Sequence, residues 1–163
     1  MPIKITPIAQ ADAPAFRECL DRVARERRFL AFLEAPALEH MQAFVAQGLR
    51  DGVPRVVGKT AGRLIGWCDI QPGWPDTLRH CGGLGMGVVP EFRGQGVGQR
   101  LLESCLALAR QAGITRVELE ARSDNEQTLR FYRRAGFEVE GVRCRRMRID
   151  GEYKETTAMA LLL

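Results

Sequence analysis

The chain of 163 residues is 45% hydrophobic and 27% charged, which is typical of a globular fold and unlike a disordered chain. Its formal net charge of +4 comes from dispersed arginines, so it does not indicate nucleic-acid binding. Five cysteines without a C-x-x-C pair and only two histidines argue against a disulfide framework and a metal site, so we expect a cytoplasmic protein without metal.

The first half of the chain predicts one strand, two helices and a hairpin. Ile3 to Ile8 alternates like a strand and lacks the apolar core of a signal peptide. Helical spacing of apolar residues follows over Ala11 to Arg28 and Ala37 to Leu49. Val56 to Lys59 and Leu64 to Ile70, separated by "TAG", are typical of a β-hairpin.

The second half predicts four more strands and two helices. Gly82 to Val89 is an apolar strand rich in glycine, which favours a bulge or a close backbone approach. A helix from Val97 ends at the capping glycine Gly113, and the strand Arg116 to Ala121 and the helix Glu126 to Ala135 follow. "FEVEGV" and "YKETTAMALLL" are the last two strands.

The predicted order is therefore β-α-α-β-β-β-α-β-α-β-β, a mixed α/β fold of about seven strands with helices on both faces. No linker, repeat or low-complexity segment interrupts it, so we expect one domain over residues 1–163. No uncharged apolar run reaches about 18 residues, so no membrane is expected as a partner.

Three glycines follow Arg93 where the glycine-rich strand leads into a helix. The free N–H groups and partial positive charge of a helix start form an anion site, and Gly94, Gly96 and Gly98 let a phosphate approach closely. Arg93 and Arg100 offer charge-assisted hydrogen bonds. Neither the Walker A loop nor the Rossmann fingerprint fits these residues, which disfavours NTP and NAD as ligands.

The segment "LGMGVVPEFRGQGVGQRLL" resembles the acetyl-CoA motif of the GNAT N-acetyltransferases, whose signature [RQ]-x-x-G-x-[GA] is matched by Arg93, Gly96 and Gly98. Downstream, "ELEARSDNEQTLRFYRRAGFEVEG" resembles the second motif of that family, with Asn125 and Tyr132 in the corresponding order. The resemblance therefore covers nearly the whole chain and implies the GNAT fold, with its mostly antiparallel sheet.

The closing segment "EGVRCRRMRIDGEYKETTAMALLL" resembles the GNAT branch that acetylates amino acids and similar small amines. Two residues depart from that branch: Glu155 stands where an aspartate is usual, and Gly83 where an acidic residue is frequent.

The resemblance implies direct transfer of the acetyl group of acetyl-CoA to a primary amine of a small molecule such as an amino acid. A protein N-terminus or lysine as acceptor, and a non-catalytic CoA-binding sensor, are the alternatives. A homodimer is common in the family, although no residue of this sequence indicates one.

The resemblance also implies roles for single residues. The pantetheine arm would pair with the strand Leu84 to Val89, while the neighbouring strand diverges and the bulge at Gly85 and Gly87 leaves strand groups unpaired. Tyr132, whose unperturbed pKa is about 10, would protonate the leaving thiolate. Asn125 would either bind the pantetheine or cap its helix. The expected cofactor-binding residues are Met86, Val88, Val89, Arg93, Gly94, Gln95, Gly96, Val97, Gly98, Gln99 and Asn125.

Direct attack needs a neutral amine, so some group must accept its proton. The sequence leaves several candidates open, namely a water relay, Glu118, Glu120, Asp69 and His80. An acyl-cysteine route is not expected, because Cys105 falls on an apolar helix face and Cys81 has no evident base.

The least regular segments, "RERRFLAFLEAP" and "RCRRMRIDGEY", are expected to form the acceptor pocket, since loops commonly carry specificity. They offer arginines for a substrate carboxylate at Arg27, Arg28 and Arg145. An apolar wall would come from Phe29, Phe32, Trp67 and Tyr153.

Overall fold

The computed structural model describes residues 1–163 and contains seven strands and four α-helices in the predicted order. The strands are β1 (Lys4–Pro7), β2 (Arg55–Thr60), β3 (Arg63–Pro72), β4 (Cys81–Val88), β5 (Arg116–Arg122), β6 (Glu138–Ile149) and β7 (Glu152–Leu162). The helices are α1 (Ala13–Ala24), α2 (Leu38–Arg50), α3 (Val97–Gln111) and α4 (Glu126–Arg134).

All seven strands form one sheet in the order β1-β2-β3-β4-β5-β7-β6. Every neighbouring pair is antiparallel except β4 and β5, which are parallel. A parallel pair needs a crossover connection, and here α3 provides it. The prediction of a mixed, mostly antiparallel sheet is confirmed.

Helices cover both faces of the sheet, as predicted. Trp67 of β3 points to the face that carries α1 and α2, where its ring lies 5.6 Å from that of Phe16. Gly66, its neighbour, faces α3, since a Cβ there would lie 3.0 Å from Cδ1 of Leu101. Because side chains alternate along a strand, each strand residue belongs to one of two faces, named here the α1/α2 face and the α3/α4 face.

The hairpin predicted between β2 and β3 is present and slightly longer than expected. Its turn places Ala61 at φ 46° and Gly62 at φ 75°. Two consecutive positive φ values produce the turn twist that matches the twist of the flanking strands.

Two predicted boundaries were wrong. The first helix begins at Ala13, after a 3-10 turn, and ends at Ala24 instead of Arg28, because Arg27 has φ 57° and cannot continue a right-handed helix. The segment "RCRRMRIDGEY", expected to be irregular, mostly continues β6 to Ile149 and turns at Asp150 and Gly151. Its one irregularity is a register shift between Arg143 and Met147.

The predicted bulge in β4 is absent, because β3 and β4 pair without a register shift from Gly82 to Val88. The glycines instead make room for side chains of β3. A Cβ on Gly87 would lie 2.4 Å from the Trp67 ring, and one on Gly82 would lie 2.3 Å from Ile70.

Candidate active site

The parallel pair β4–β5 opens after three residues. Only Cys81, Gly82 and Gly83 pair with β5, opposite Arg116 to Glu118, so the edge of β4 from Leu84 onward has no strand beside it. The predicted divergence of β5 is therefore present. It creates a gap in the middle of the sheet, lined on one side by unpaired backbone.

Alternation along β4 decides which backbone groups face this gap. Val89 donates its N–H to the carbonyl of Ile65 at 2.9 Å, on the β3 side. Leu84, Met86 and Val88 therefore point their N–H and C=O groups the other way, into the gap. The carbonyl of Val88 is already occupied by Nε of Arg93, which donates to it at 2.7 Å.

The backbone N–H of Val89 faces β3 and not the gap, and its place among the expected cofactor-binding residues stays a prediction. Its N–H is bonded to Ile65, its carbonyl accepts from the amide of Phe92 at 3.1 Å, and its side chain is fully buried. Leu84, which belongs to the strand expected to pair with the pantetheine arm but not to the list of single binding residues, has the orientation that Val89 lacks. The orientation of the Leu84 backbone follows from the hydrogen bonds between β3 and β4, and the sequence alone does not reveal those bonds.

At the end of β4 the chain presents a run of unpaired amides. None of the six N–H groups from Gly94 to Gln99 donates to a backbone or side-chain acceptor of the protein. The last three, from Val97, form the free first turn of α3, where the helix dipole adds positive potential. Such a run is a binding site for an anion with several oxygens.

Glycine stands at the three positions of this turn for different structural reasons. Gly94 at φ 70° and Gly96 at φ 76° lie in the left-handed region, where glycine costs least. Gly98 is helical, and a Cβ there would only touch Met86 and Phe131 at 3.6 Å. The fold therefore requires glycine at the first two positions but not at Gly98.

The two arginines expected to bind phosphate also contact other protein groups, and their role toward phosphate stays a prediction. Arg93 donates from Nη1 and Nη2 to both carboxylate oxygens of Glu26, at 2.8 and 2.5 Å, and its guanidinium lies 4.5 Å from the centre of the Phe29 ring. Arg100 donates to the carbonyl of Ile3 at 2.9 Å. The six free amides are thus donors at this turn that no protein group occupies.

Glu26 is a residue that sequence reasoning missed. Through Arg93 it links the end of α1 to the turn before α3, across 67 positions of sequence. No local pattern marks such a long-range ion pair, so the sequence offered no signal for it.

Tyr132 lies on α4 between two aromatic rings, 5.2 Å from that of Phe131 and 5.5 Å from that of Phe137. Burial raises the pKa of its phenol, and the thiol of Cys68 adds to the rise. Cys68 is the β3 partner of Met86, so the phenol is near the part of β4 that borders the gap. Tyr132 is therefore a neutral O–H at physiological pH.

Asn125 caps α4: its Oδ1 accepts from the amide of Thr128 at 3.3 Å. The side chain is 8% exposed. The cap occupies only Oδ1, so the amide group of the side chain still has its two donors.

The four candidate proton acceptors lie in different environments. Glu120 accepts from Arg143, Arg146 and Thr156, and these donors hold its pKa below the ordinary value despite its partial burial. Glu118 is exposed and bonded to Arg116 at 3.2 Å.

His80 precedes β4, exposed, with its Nε2 3.5 Å from Sγ of Cys81. Asp69 differs from the other three, because burial raises the pKa of its carboxyl even though Arg55 opposes the rise.

The two segments expected to form the acceptor pocket meet in the structure. Arg27, after α1, donates to both oxygens of Asp150 at the β6–β7 turn, at 3.1 and 2.6 Å. The carbonyl of Arg27 also accepts from Arg122 of β5 at 2.8 Å. The α1–α2 connection is thus tied to two strands on the far side of the gap.

The other residues named for this pocket differ in exposure and in the groups they contact. Phe32 and Tyr153 are exposed, at 53% and 55%, whereas Trp67 is buried in the core. The guanidiniums of Arg28 and Arg145 lie over the rings of Phe29 and Tyr153, at 5.8 and 5.0 Å.

The thiols have no activated member. All five cysteines are free and four are buried. Burial raises the pKa of Cys19 to about 12 and that of Cys68 as well. Thiols in such surroundings are poor nucleophiles.

A cavity of about 530 Å³ lies between α3 and α4, lined by Gln99, Leu102, Phe131 and Arg134 among others. It begins at the last of the six free amides. A second cavity of about 360 Å³, beside Gly48 and Leu108, lies away from the gap. No cluster of three or more potential metal ligands exists, and no helix has the length and hydropathy to span a membrane.

Comparison with known proteins gives three findings. Residues 14–137 match the profile of the acetyltransferase (GNAT) family. The chain is 44% identical over 66 residues to the N-alpha-acetyltransferase RimI of Mycobacterium tuberculosis, but this match spans only 40% of each protein. It is 29% identical over 132 residues to an L-methionine sulfoximine/L-methionine sulfone acetyltransferase of Pseudomonas aeruginosa, covering 77% of this chain and 74% of the relative.

Comparison of the fold with solved structures gives a further match. The structure of a phosphinothricin acetyltransferase from Sinorhizobium meliloti in complex with AcCoA superimposes with a TM-score of 0.91 at 19% identity, covering 100% of this chain and 89% of the other. At that identity the likeness concerns the fold alone.

Proposed function

Because the chain belongs to the acetyltransferase (GNAT) family, we propose that it transfers the acetyl group of acetyl-CoA to the primary amine of a small molecule, with an amino acid as the favoured class of acceptor. The observation that carries this proposal is the run of six unpaired amides from Gly94 to Gln99, beside the gap between β4 and β5. A diphosphate supplies acceptor oxygens for these donors, and an extended arm with amide groups suits the free edge of β4.

The residues present fit acetyl-CoA. The amides of Gly94 to Gln99 would hold its diphosphate, and the backbone groups of Leu84 and Met86 would hydrogen-bond its pantetheine arm. The cavity between α3 and α4 offers space to the part of the molecule beyond the diphosphate. When bound, acetyl-CoA supplies a thioester, whose carbonyl carbon an amine attacks.

Tyr132 is the proposed general acid. Its phenol is protonated over the whole physiological range, because burial raises its pKa further. It therefore holds a proton for the departing sulfur. Direct transfer is favoured over an acyl-cysteine, because Cys105 is buried and directs its S–H at the carbonyls of Pro54 and Cys68, and burial raises the pKa of the Cys19 and Cys68 thiols.

Two observations support a small acceptor. The relative that acts on L-methionine sulfoximine and L-methionine sulfone matches over three quarters of this chain, whereas the match to RimI covers 40%. The ion pair between Arg27 and Asp150 also joins the two segments expected to line the acceptor pocket, which suits a pocket closed around a small molecule. A protein N-terminus is the second candidate, on the strength of the 44% identity to RimI.

Binding of acetyl-CoA is tested by thermal unfolding. A ligand that binds only the folded state at 100 times its Kd stabilises by about 2.7 kcal/mol, so millimolar acetyl-CoA should raise the Tm by several degrees. Free acetate and adenosine at equal concentration serve as controls. No shift at millimolar acetyl-CoA would reject the cofactor assignment.

The acceptor class is tested by release of free thiol from acetyl-CoA across amino acids, polyamines, aminoglycosides and peptides. We expect turnover with one or more amino acids. Turnover confined to peptides would transfer the assignment to a protein acetyltransferase, and binding without turnover of any amine would indicate a sensor.

A further inference from the structure

The centre of β4 has no side chain on its α1/α2 face. Gly83, Gly85 and Gly87 alternate onto this face, because they pair with Gln71, Asp69 and Trp67 of β3. Gly83 is also where an acidic residue is frequent in the branch this chain resembles. If this chain uses a carboxylate beside the gap, another strand must supply it.

Asp69 of β3 places a carboxylate beside this bare stretch. It pairs with Gly85, and its Oδ1 lies 3.2 Å from where a Cβ of Gly85 would be. Gly85 follows Leu84, the first residue of β4 whose edge has lost β5. The carboxylate therefore lies against β4 where the gap opens, and its side chain retains 13% exposure.

Arg55 of β2 holds this carboxylate in place. Its Nε donates to Oδ2 of Asp69 at 3.2 Å, and Oδ1 has no donor in the protein. The guanidinium stacks 4.0 Å from the centre of the Phe44 ring on α2 and donates to the Phe44 carbonyl at 3.5 Å. Gly48 of α2 provides the space, since a Cβ there would lie 2.6 Å from Nη1 of Arg55.

The surroundings of Asp69 suit a group that takes up a proton. Arg55 is the charged group that faces it, α2 contributes the neutral Phe44, and β4 contributes a glycine. The thiol of Cys68, the preceding residue on the opposite face of the sheet, is itself kept neutral by burial. Burial of Asp69 raises its pKa against the effect of Arg55, so the protonated form is accessible nearer to neutral pH than for a solvated aspartate.

The other candidate bases are less suited. Glu120 is held by three donors that favour its charged form. Glu118 is exposed and paired with Arg116. His80 lies five residues before Gly85, roughly 16 Å away along an extended strand.

We infer that Asp69 is the proton acceptor for the amine on the α1/α2 face of the gap, and that Arg55 is its positioning residue. This inference rests on the proposed acetyl transfer.

In this step an ammonium R–NH3⁺ gives one proton to Oδ1 of Asp69 and becomes R–NH2. Its nitrogen then forms a bond to the acetyl carbonyl carbon as the carbon–sulfur bond breaks. The departing thiolate takes a proton from Tyr132, and Tyr132 regains a proton as the nitrogen loses its second one. Asp69 returns its own proton to solvent, so the net products are the amide, the thiol and one proton.

The test compares Asp69→Asn with the parent chain on two acceptors of similar shape. One is a primary alkylamine, protonated at the assay pH, and the other is its hydrazide or O-alkylhydroxylamine analogue, which is already neutral. Loss of a general base costs 10²–10⁴-fold, so kcat/KM for the alkylamine should fall at least about 100-fold, with a loss of only about fivefold for the neutral analogue. Glu118→Gln is the matched control and should leave both rates unchanged.

Further measurements separate a chemical from a structural role. The defect of Asp69→Asn on the alkylamine should shrink as the pH rises, because more amine is neutral in solution. Arg55→Met should move the acidic limb of the kcat/KM profile to higher pH, because Arg55 lowers the pKa of Asp69. Arg55→Lys, which keeps the positive charge, should return the acidic limb most of the way to its position in the parent chain.

An equal loss on both amines in Asp69→Asn, or no loss on either, would overturn the role of Asp69 while the parent chain remains an acetyltransferase. A parent chain that binds no acetyl-CoA and acetylates no amine would overturn the proposed function, and this inference with it.

Discussion

At the scale of single residues, Tyr132 shows how surroundings define a chemical role. Burial and the nearby thiol of Cys68 raise the pKa of the phenol and keep it neutral, which is the form that can donate a proton. The pKa is raised above an already alkaline ordinary value, so Tyr132 does not titrate between pH 6 and 9. Any pH dependence of the rate in that range must come from another group.

Tyr132→Phe tests this role. The ring contacts with Phe131 and Phe137 remain, so we expect stability and acetyl-CoA affinity close to those of the parent, with kcat about 100-fold lower. Steady-state kinetics and a binding titration measure the two quantities. Tyr153, the chain's other tyrosine, is 55% exposed on β7, and Tyr153→Phe is the matched control.

If Tyr132→Phe keeps full activity, Tyr132 is a packing residue. An equal loss in Tyr153→Phe would also contradict the assignment.

Residue identities were easier to predict than side-chain partners. The sequence identified Arg93 in a phosphate motif, yet its guanidinium bonds to Glu26 and to the Val88 carbonyl. Asp69 was one of several open candidates, because its distinguishing features arise from pairing with Arg55 of another strand. Such contacts join positions that no local pattern connects.

At the scale of elements, the start of α3 contains one glycine that the fold requires and one that it does not. Gly96 needs its left-handed φ, whereas Gly98 occupies an ordinary helical position with room for a methyl group. Glycine inside a helix costs roughly 0.5–1 kcal/mol relative to alanine. A glycine kept at such a position is consistent with a ligand that needs the space.

Gly98→Ala should therefore keep or raise the Tm in the absence of ligand and weaken acetyl-CoA binding at least about tenfold, because the methyl group would meet the diphosphate. Gly96→Ala should weaken binding as well and also lower stability by about 1–2 kcal/mol through backbone strain. Unfolding in urea and a binding titration provide both values.

Gly113→Ala at the other end of α3 is the matched control, because Gly113 also has a positive φ, 80°, and open space around it. It should lose stability and keep acetyl-CoA affinity. Normal affinity in Gly98→Ala would mean that the phosphates bind elsewhere.

Element order was predictable from the periodicity of apolar residues and from glycine and proline at the ends. The absence of a bulge in β4 was not predictable, because the reason for its glycines lies in the Trp67 and Ile70 side chains of β3. A glycine-rich strand has the same local sequence pattern whether its glycines form a bulge or make room for side chains of a neighbouring strand. Only the register of the neighbouring strand distinguishes them.

At the scale of the whole molecule, ion pairs join distant segments and set the response to acid. Asp21 accepts from Arg25 and from the amide of Ala35, and Glu120 joins three strands. Both carboxyl pKa values are lowered in the fold. Their contributions to stability are present above the unfolded pKa and are lost as the pH falls through the folded pKa.

We therefore expect the free energy of unfolding to decrease as the pH falls below about 4. Asp69 has the opposite effect. Because its pKa is raised in the fold, its contribution to the free energy of unfolding is largest at low pH and is lost as the pH rises. Urea unfolding from pH 7 to pH 3 measures the balance, with Asp21→Asn expected to reduce the acid sensitivity. Stability that rises steadily toward pH 3 would contradict the dominance of the depressed carboxyls.

The pairing order β5-β7-β6 was beyond prediction, because it places the last strand inside the sheet and the one before it at the edge. Loop closure between elements far apart in sequence decides that order, and a single sequence has no periodic signal for it.

The α1/α2 face of β4, which carries only glycines at its centre, also limits how mutations could change the acceptor specificity of this protein. A new side chain at Gly87 would collide with Trp67 of β3, and one at Gly85 would crowd Asp69, whereas a Cβ at Gly83 would meet only the Gln71 carbonyl oxygen at 4.0 Å. Mutational routes to a new specificity therefore run through Gly83, β3 and the flanking loops, while Gly85 and Gly87 stay constant. A gene library built to retarget the protein would do best to leave these glycines unmutated.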